Sequence, residues 1–231
     1  MKVPSGSMCR TATVLLALLL AAQAIWLVFT QSLQPQLDRL PTDPGTATRA
    51  ALDRANAERA ASIADIRGDL WAQAAFTYAD LLWGPATADA RRTEELAKAH
   101  AMVMRSLDRA PHNSEVWLLA AGLASRYPSP QAPNTIQALK MSYYTGPSEQ
   151  RIMALRFRLA AGSDFAGDVE MREFIARDLR LLLAQKQKPE ITAAYLEASP
   201  ADKQFIEKTI KDLDPSAASW LHASDPLSLP N

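Results

Sequence analysis

The sequence predicts an all-α protein whose first helix is suited to a membrane. Three observations carry this. Of 231 residues, 42 are alanine and only 8 are glycine. Alanine enters a helix almost without penalty, whereas glycine costs about 1 kcal/mol at a helical position. Alternating β-branched runs, from which a sheet is built, are nearly absent. The stretch TATVLLALLLAAQAIWLVFT at 11–30 carries no charge, and Gln23 is its one strongly polar side chain.

Twenty residues at 1.5 Å each span roughly 30 Å, the thickness of a bilayer's hydrocarbon core. Lys2 and Arg10 precede the stretch, which favours a cytoplasmic N-terminus at 1–10 and an exported remainder. The expectation is a single-pass protein of a bacterial inner membrane, with its C-terminal domain in the periplasm. The alternative is a signal peptide cleaved near Ala24, since Ala22-Gln23-Ala24 fits a small-x-small site. That would leave a secreted or periplasmic chain. The apolar run continues through Ile25 to Phe29, and Trp26 and Phe29 suit the far membrane interface, which favours a retained anchor. A third reading makes the stretch a buried helix of a soluble fold. The one cysteine, Cys9, lies before the span, so no intramolecular disulfide or thiolate cluster forms. Scarcity of thiols suits an oxidising compartment. Lys+Arg and Asp+Glu stand at 25 each, and this balance argues against nucleic acid as a partner.

Residues 31–45 hold Pro35, Pro41 and Pro44 and read as a Pro-rich linker. A helical domain is expected over 46–223 and a frayed tail over 224–231. Asp43-Pro44 reads as a helix start, opening a helix that runs to about Asp65 with Ala50, Leu52, Ala57, Ala60 and Ile63 on its apolar side. GDLWAQAAFTYADLLWG has the three-four spacing of an amphipathic helix through Leu70, Trp71, Ala74, Tyr78 and Leu81, and Gly84-Pro85 stops it. A long helix then presents Leu96, Ala99, Val103, Met104 and Leu107, and Pro111 ends it. Asn113 or Ser114 caps the next, which runs to Tyr127-Pro128. TIQALKMSYYT returns to Gly146-Pro147, and Ser148 is a candidate cap for SEQRIMALRFRLA. A loop at GSDFAG precedes a strong helix with Met171, Phe174, Ile175, Leu179 and Leu182. Two Pro-initiated helices and a short final piece complete seven to nine helices beyond the membrane.

Two segments resemble closing elements of tetratricopeptide repeats: SLDRAP at 106–111 and SYYTGP at 142–147, whose prolines lie 36 residues apart. Trp71 and Trp117 each sit early in a first helix, and Ala99 supplies the small residue twelve positions before Pro111. The pattern is degenerate. Ala120 stands where Leu is usual, Ala121 where Gly is usual, and Ala124 where Tyr is usual. The resemblance covers about 69–160. It implies a right-handed array of helical hairpins, an α-solenoid; an irregular helical bundle is the alternative. Stacking would bury apolar faces that no single hairpin can bury and leave a concave binding surface.

No motif for catalysis is present: no nucleophile elbow, phosphate loop or HExxH. His100, His112 and His222 have no metal-ligand spacing. Glu94, Glu95, Glu115, Glu170 and Glu173 read as solvated helix faces. Arg151, Arg156 and Arg158 share one expected helix, and Arg172, Arg177 and Arg180 the next; together they could line a groove for a carboxylate-bearing peptide or polymer, although nearby Glu149, Asp168, Glu170, Glu173 and Asp178 could neutralise them. Of adjacent Tyr143 and Tyr144, one is expected in the core and the other as a contact. Trp83 is another candidate anchor. The candidate partner-binding residues are therefore Trp83, Tyr144, Arg151, Arg156, Arg158, Arg172 and Arg177. No cofactor, metal or catalytic residue is assigned. The expected function is a membrane-anchored scaffold or adaptor that binds envelope proteins or peptides without catalysis. The alternatives are an envelope hydrolase using helix-borne carboxylates and a self-associating structural protein.

Overall fold

A computed structural model describes residues 5–32, 37–83, 90–128, 133–215 and 220–221. Among these there is no strand; the regular structure is helical. The calls on His222, on the tail at 224–231 and on Gly84-Pro85 lie outside the described residues.

The first helix, α1 (Ser5–Ser32), meets the rest of the protein near its C-terminal end, where it touches α3 (Arg54–Ile63). It is the one described helix long and apolar enough to cross a membrane, over Arg10–Ser32, and none of its apolar window is buried in the protein. The reading as a core helix of a soluble fold is therefore set aside: a core helix is covered by its own domain, and α1 is not. Length and composition suit either an anchor or a signal sequence.

Beyond α1 the chain does not wander. Leu40 is fully buried, Pro41 is buried, and Leu37 packs against the main core. The Leu40 N–H donates to Glu115 Oε2 at 2.6 Å, and its C=O accepts from Arg151 Nη1 at 2.7 Å. Arg151 and Glu115 also pair at 2.6 Å. The described part of the Pro-rich segment is thus docked on the domain.

Asp43 caps α2 (Pro44–Leu52), its carboxylate accepting the Thr46 N–H at 2.9 Å with Pro44 in the first turn. The single helix expected over 46–65 is broken at Asp53, where α3 (Arg54–Ile63) begins. The reason lies in packing. Ala47 and Ala50 of α2 face the short 3₁₀ turn Ala79–Leu82, whereas Ala57, Ala60 and Ala61 of α3 face α4 (Gly68–Phe76). One straight helix cannot address both. Arg54, just past the bend, pins it by donating to Asp80 Oδ1 at 2.7 Å and Thr77 O at 2.9 Å.

The amphipathic helix expected at 69–84 also divides. Every residue of α4 from Leu70 to Phe76 is buried, and the chain tightens into the 3₁₀ turn. Neighbours cover α4 on all sides, so its three-four pattern marks no water-facing stripe. Next come α5 (Ala90–Arg109), α6 (Ser114–Arg126) and α7 (Thr135–Thr145). Ala99, Val103 and Leu107 of α5 are buried as expected, but Met104 is exposed. Asn113 accepts the Glu115 and Val116 N–H groups, and Asn134 caps α7. Then follow α8 (Gln150–Ala161), α9 (Val169–Ala184, capped by Asp168), α10 (Lys188–Glu197) and α11 (Pro200–Leu213, capped by Ser199). Ser148 is not the cap of α8; that position falls to Glu149, which makes no side-chain cap bond. Ten α-helices follow α1 among the described residues, more than the seven to nine expected, because one expected helix is two.

Successive helices pair: α4 with α5, α6 with α7, α8 with α9, α10 with α11. Alternate helices also touch. Contacts run from α4 to α6, α6 to α8, and α8 to α10 on one side, and from α7 to α9 to α11 on the other. One large core runs from Leu40 to Leu221, and a smaller satellite of Ala57, Ala61, Ala64, Leu70, Trp71 and Ala74 sits where α3 meets α4.

Candidate functional site: an arginine-lined cleft beside the α7–α8 turn

Two of the candidate residues, Arg156 and Arg177, converge where α9 crosses α7 and α8. Tyr143, near the end of α7, is buried and stacks on Phe174 of α9, with ring centroids 4.6 Å apart and planes 15° from parallel. Its hydroxyl donates to Asp178 Oδ2 at 2.8 Å. One turn of helix away, Arg177 lies 5.8 Å from the Tyr143 ring and 5.6 Å from that of Phe174. From α8, Arg156 reaches beneath the same tyrosine, 4.8 Å from its ring.

Arg156 is 1% exposed. It cannot form part of an open surface groove, and its donors are directed inward. Nε donates to Ser142 Oγ at 2.9 Å, Nη1 to Gly146 O at 2.9 Å, and Nη2 to Ser142 O at 2.7 Å. These acceptors lie at the carboxyl end of α7, where a helix leaves carbonyls unpaired and a cation is favoured. The turn packs tightly against α6: Ser142 Oγ donates to Ser114 O at 2.7 Å, and a Cβ on Gly146 would lie 2.5 Å from Ser114 Oγ. Only glycine fits there.

Arg177 differs. Its Nε and Nη2 are buried, yet no acceptor among the described residues meets them. Unpaired buried donors are costly and rare. Arg177 lines a cleft of about 240 Å³ together with Arg156, Asp178, Glu149, Gln150 and Met153. Burial pushes the Asp178 carboxyl up to about 6, against the opposing pull of the Tyr143 hydrogen bond and the two guanidiniums. Burial, then the neighbouring Asp178, raises the Tyr143 hydroxyl well above its ordinary range.

The other candidates lie elsewhere. Trp83 and Arg158 meet in a second cleft of about 240 Å³ with Arg126 and Glu197. There Arg158 sits 5.3 Å from the Trp83 ring, and its Nε donates to both Glu197 oxygens, at 3.1 and 3.0 Å. Trp83 is half-buried rather than exposed. Tyr144 is the exposed tyrosine of the pair; it meets Phe174 edge-on at 5.7 Å and donates to Glu170, which Lys140 also holds at 3.0 Å. Arg151 is committed to Leu40 and Glu115. Arg172 is partly exposed on α9. Sequence reasoning named Asp178 among five carboxylates that could neutralise the arginines, but did not single it out as the buried one. The i, i+4 spacing of Phe174 and Asp178 was the available signal, since it places both over α7.

Among the described residues, no three His, Cys, Asp or Glu side chains gather to hold a metal ion. His100 is half-buried and its imidazole is pushed down by burial; His112 is exposed. The cleft is walled by Arg177, whose Nε and Nη2 are buried without an acceptor among the described residues, by Met153 and Leu181, and by the Asp178 carboxyl, which burial pushes up to about 6. Compared with family models, curated proteins and solved structures, the chain finds no match.

Proposed function

We propose that the protein is a membrane-anchored helical adaptor of the bacterial cell envelope. It binds a carboxylate-bearing segment of a partner protein in the Arg177 cleft. The observation that carries this reading is the buried, acceptor-less Nε and Nη2 of Arg177. These two nitrogens flank one edge of the guanidinium; a shift of the side chain that uncovers this edge gives the geometry that takes a carboxylate bidentately. The alternation of α4, α6, α8 and α10 against α7, α9 and α11 supports an array of stacked hairpins akin to a degenerate tetratricopeptide-repeat solenoid. The apolar window of α1, left unburied by the domain and with Lys2 and Arg10 on its N-terminal side, supports an anchor with its N-terminus inside and the domain in the periplasm. Anchoring would raise the domain's effective concentration near membrane-bound partners.

In-cell photocrosslinking tests this. Probes at Gln150 and Leu181 line the cleft, with Thr42 as control. Capture of one envelope protein at the cleft positions, lost in Arg177→Met, supports the adaptor. Self-crosslinks alone replace it with a homo-oligomeric structural role. An enzyme is the second reading, favoured by one observation: Asp178, pushed up to about 6, shares the cleft with Glu149. A hydrolase using Asp178 as its acid would lose turnover of envelope polymers in Asp178→Asn, whereas the adaptor has no turnover to lose.

A further inference from the structure

We infer that the α3–α4 turn, Ile63 to Arg67, is a second membrane contact that rests in the lipid headgroup and upper acyl region beside α1. This deepens the anchored reading above and depends on it.

The argument begins with depth. If 11–30 crosses the hydrocarbon core, Trp26 lies four residues below Thr30, about 6 Å inside the outer boundary at 1.5 Å per residue. Indole rings favour that zone. The Trp26 Nε1–H donates to the Ile63 carbonyl at 3.3 Å, and the ring packs on the satellite core of α3 and α4. The end of α3 is therefore held at the depth of Trp26. Its turn carries Ile63, 37% exposed, and Ile66, 78% exposed. Ile63 and Ile66 together extend the apolar surface of α1 beside Trp26, where an acyl boundary would cover them.

The backbone supports the same conclusion independently. A turn entering lipid must satisfy its own carbonyls, because the surroundings offer no donors. Here the Ile63 C=O accepts from Trp26, and the Ala64 C=O accepts the Arg67 N–H at 2.8 Å. The Asp65 C=O accepts Trp71 Nε1 at 3.0 Å and Arg109 Nε at 3.1 Å. Three successive carbonyls of an exposed turn have protein donors, two of them from tryptophan side chains. The charges are arranged to match. Asp65, between the two isoleucines, is paired by Arg109 Nη2 at 2.7 Å, and Asp69 by Arg67. Arg105 stacks over Trp71 at 4.7 Å. Three guanidiniums thus stand beside two carboxylates around the turn, on stems long enough to reach up from the acyl boundary toward lipid phosphates.

Depth-dependent quenching decides the matter. Full-length protein lacking Cys9 is given one cysteine at Ile66, at Leu20 in mid-α1, or at Lys211. Lys211 is exposed on α11, which packs on α9 and α10. Each is labelled with a polarity-sensitive fluorophore and reconstituted into phosphatidylcholine vesicles carrying spin-labelled lipids, with the label either shallow or deep on the acyl chain. The expected result is blue-shifted emission at Ile66, quenched several-fold more by the shallow label. Leu20 is quenched by the deep label, and Lys211 by neither. If Leu20 is quenched and Ile66 behaves like Lys211, the second contact is wrong while the anchor stands. If Leu20 also escapes quenching, or 1–24 has been removed, the anchored reading fails and takes this inference with it.

Discussion

Replacing Asp178 by Asn removes a specific part of the protein's pH dependence. Asp178 titrates at about 6 in the fold against 3.8 in the open chain, because burial disfavours its charge. The sign follows from proton binding. Between those values the folded state keeps a proton that the unfolded chain has released. The stability linked to that proton is complete below 3.8 and is lost as pH rises through 6. At 1.36 kcal/mol per pH unit, the wild type loses about 3 kcal/mol across the window. Asn keeps a carbonyl that can accept the Tyr143 hydroxyl and has no proton to give up. Carboxylates held low, such as Asp69 and Asp168, act in the opposite direction over part of the same range, so the informative quantity is the difference between the two proteins. Urea denaturation of the full chain in mild detergent, read by tryptophan fluorescence at pH 4 and pH 7, measures it. Relative to wild type, Asp178→Asn gains about 3 kcal/mol on going from pH 4 to pH 7. A difference that stays constant with pH refutes the buried-carboxyl reasoning.

Other substitutions probe the same region. Gly146→Ala drives a Cβ to 2.5 Å from Ser114 Oγ and costs about 1–3 kcal/mol in the same denaturation assay. Ser114→Gly relieves that clash, whereas Ser114→Ala does not, since Ser114 Cβ is itself only 2.6 Å away. Arg156→Met strips the Ser142 and Gly146 carbonyls of their guanidinium donors and leaves Asp178 with Arg177 alone as counter-charge. It lowers stability by about 3–5 kcal/mol, visible as a fall in Tm. Arg177→Met removes a guanidinium whose buried donors have no acceptor. It leaves Tm within a few degrees of wild type while abolishing partner capture at Gln150. A large loss of stability there would make Arg177 a structural residue.

Local chemistry was the legible part of this chain. Asp43 and Asn113, both readable as helix starts, cap their helices because short acceptors beside an apolar-periodic run have few better uses. The division of Tyr143 and Tyr144 between core and surface follows from the 100° between adjacent helical positions. What periodicity missed was set by tertiary partners. The bend at Asp53 exists because two alanine faces answer to different neighbours, and every alanine reads alike in one dimension. The cleft was half legible. Its arginines stood out as a cluster, but their fates did not. Arg156 and Arg151 turn inward to backbone carbonyls more distant than any helical spacing reveals, Leu40 lying 111 residues from Arg151. Trp83 looked like a surface anchor and instead shelters beneath Arg158.

The clamp on Leu40 has a mechanical meaning. A flexible leash would let the domain swivel and sample a hemisphere above the lipid. Here a single peptide unit is gripped at both its donor and its acceptor by an ion pair that joins α6 to α8. Tension arriving through the N-terminal segment therefore passes straight into the middle of the helical stack. If α1 is retained as the proposed anchor, the domain's bearing on the bilayer becomes a property of the fold, and a partner captured beside α9 as proposed would be presented at one height and one angle.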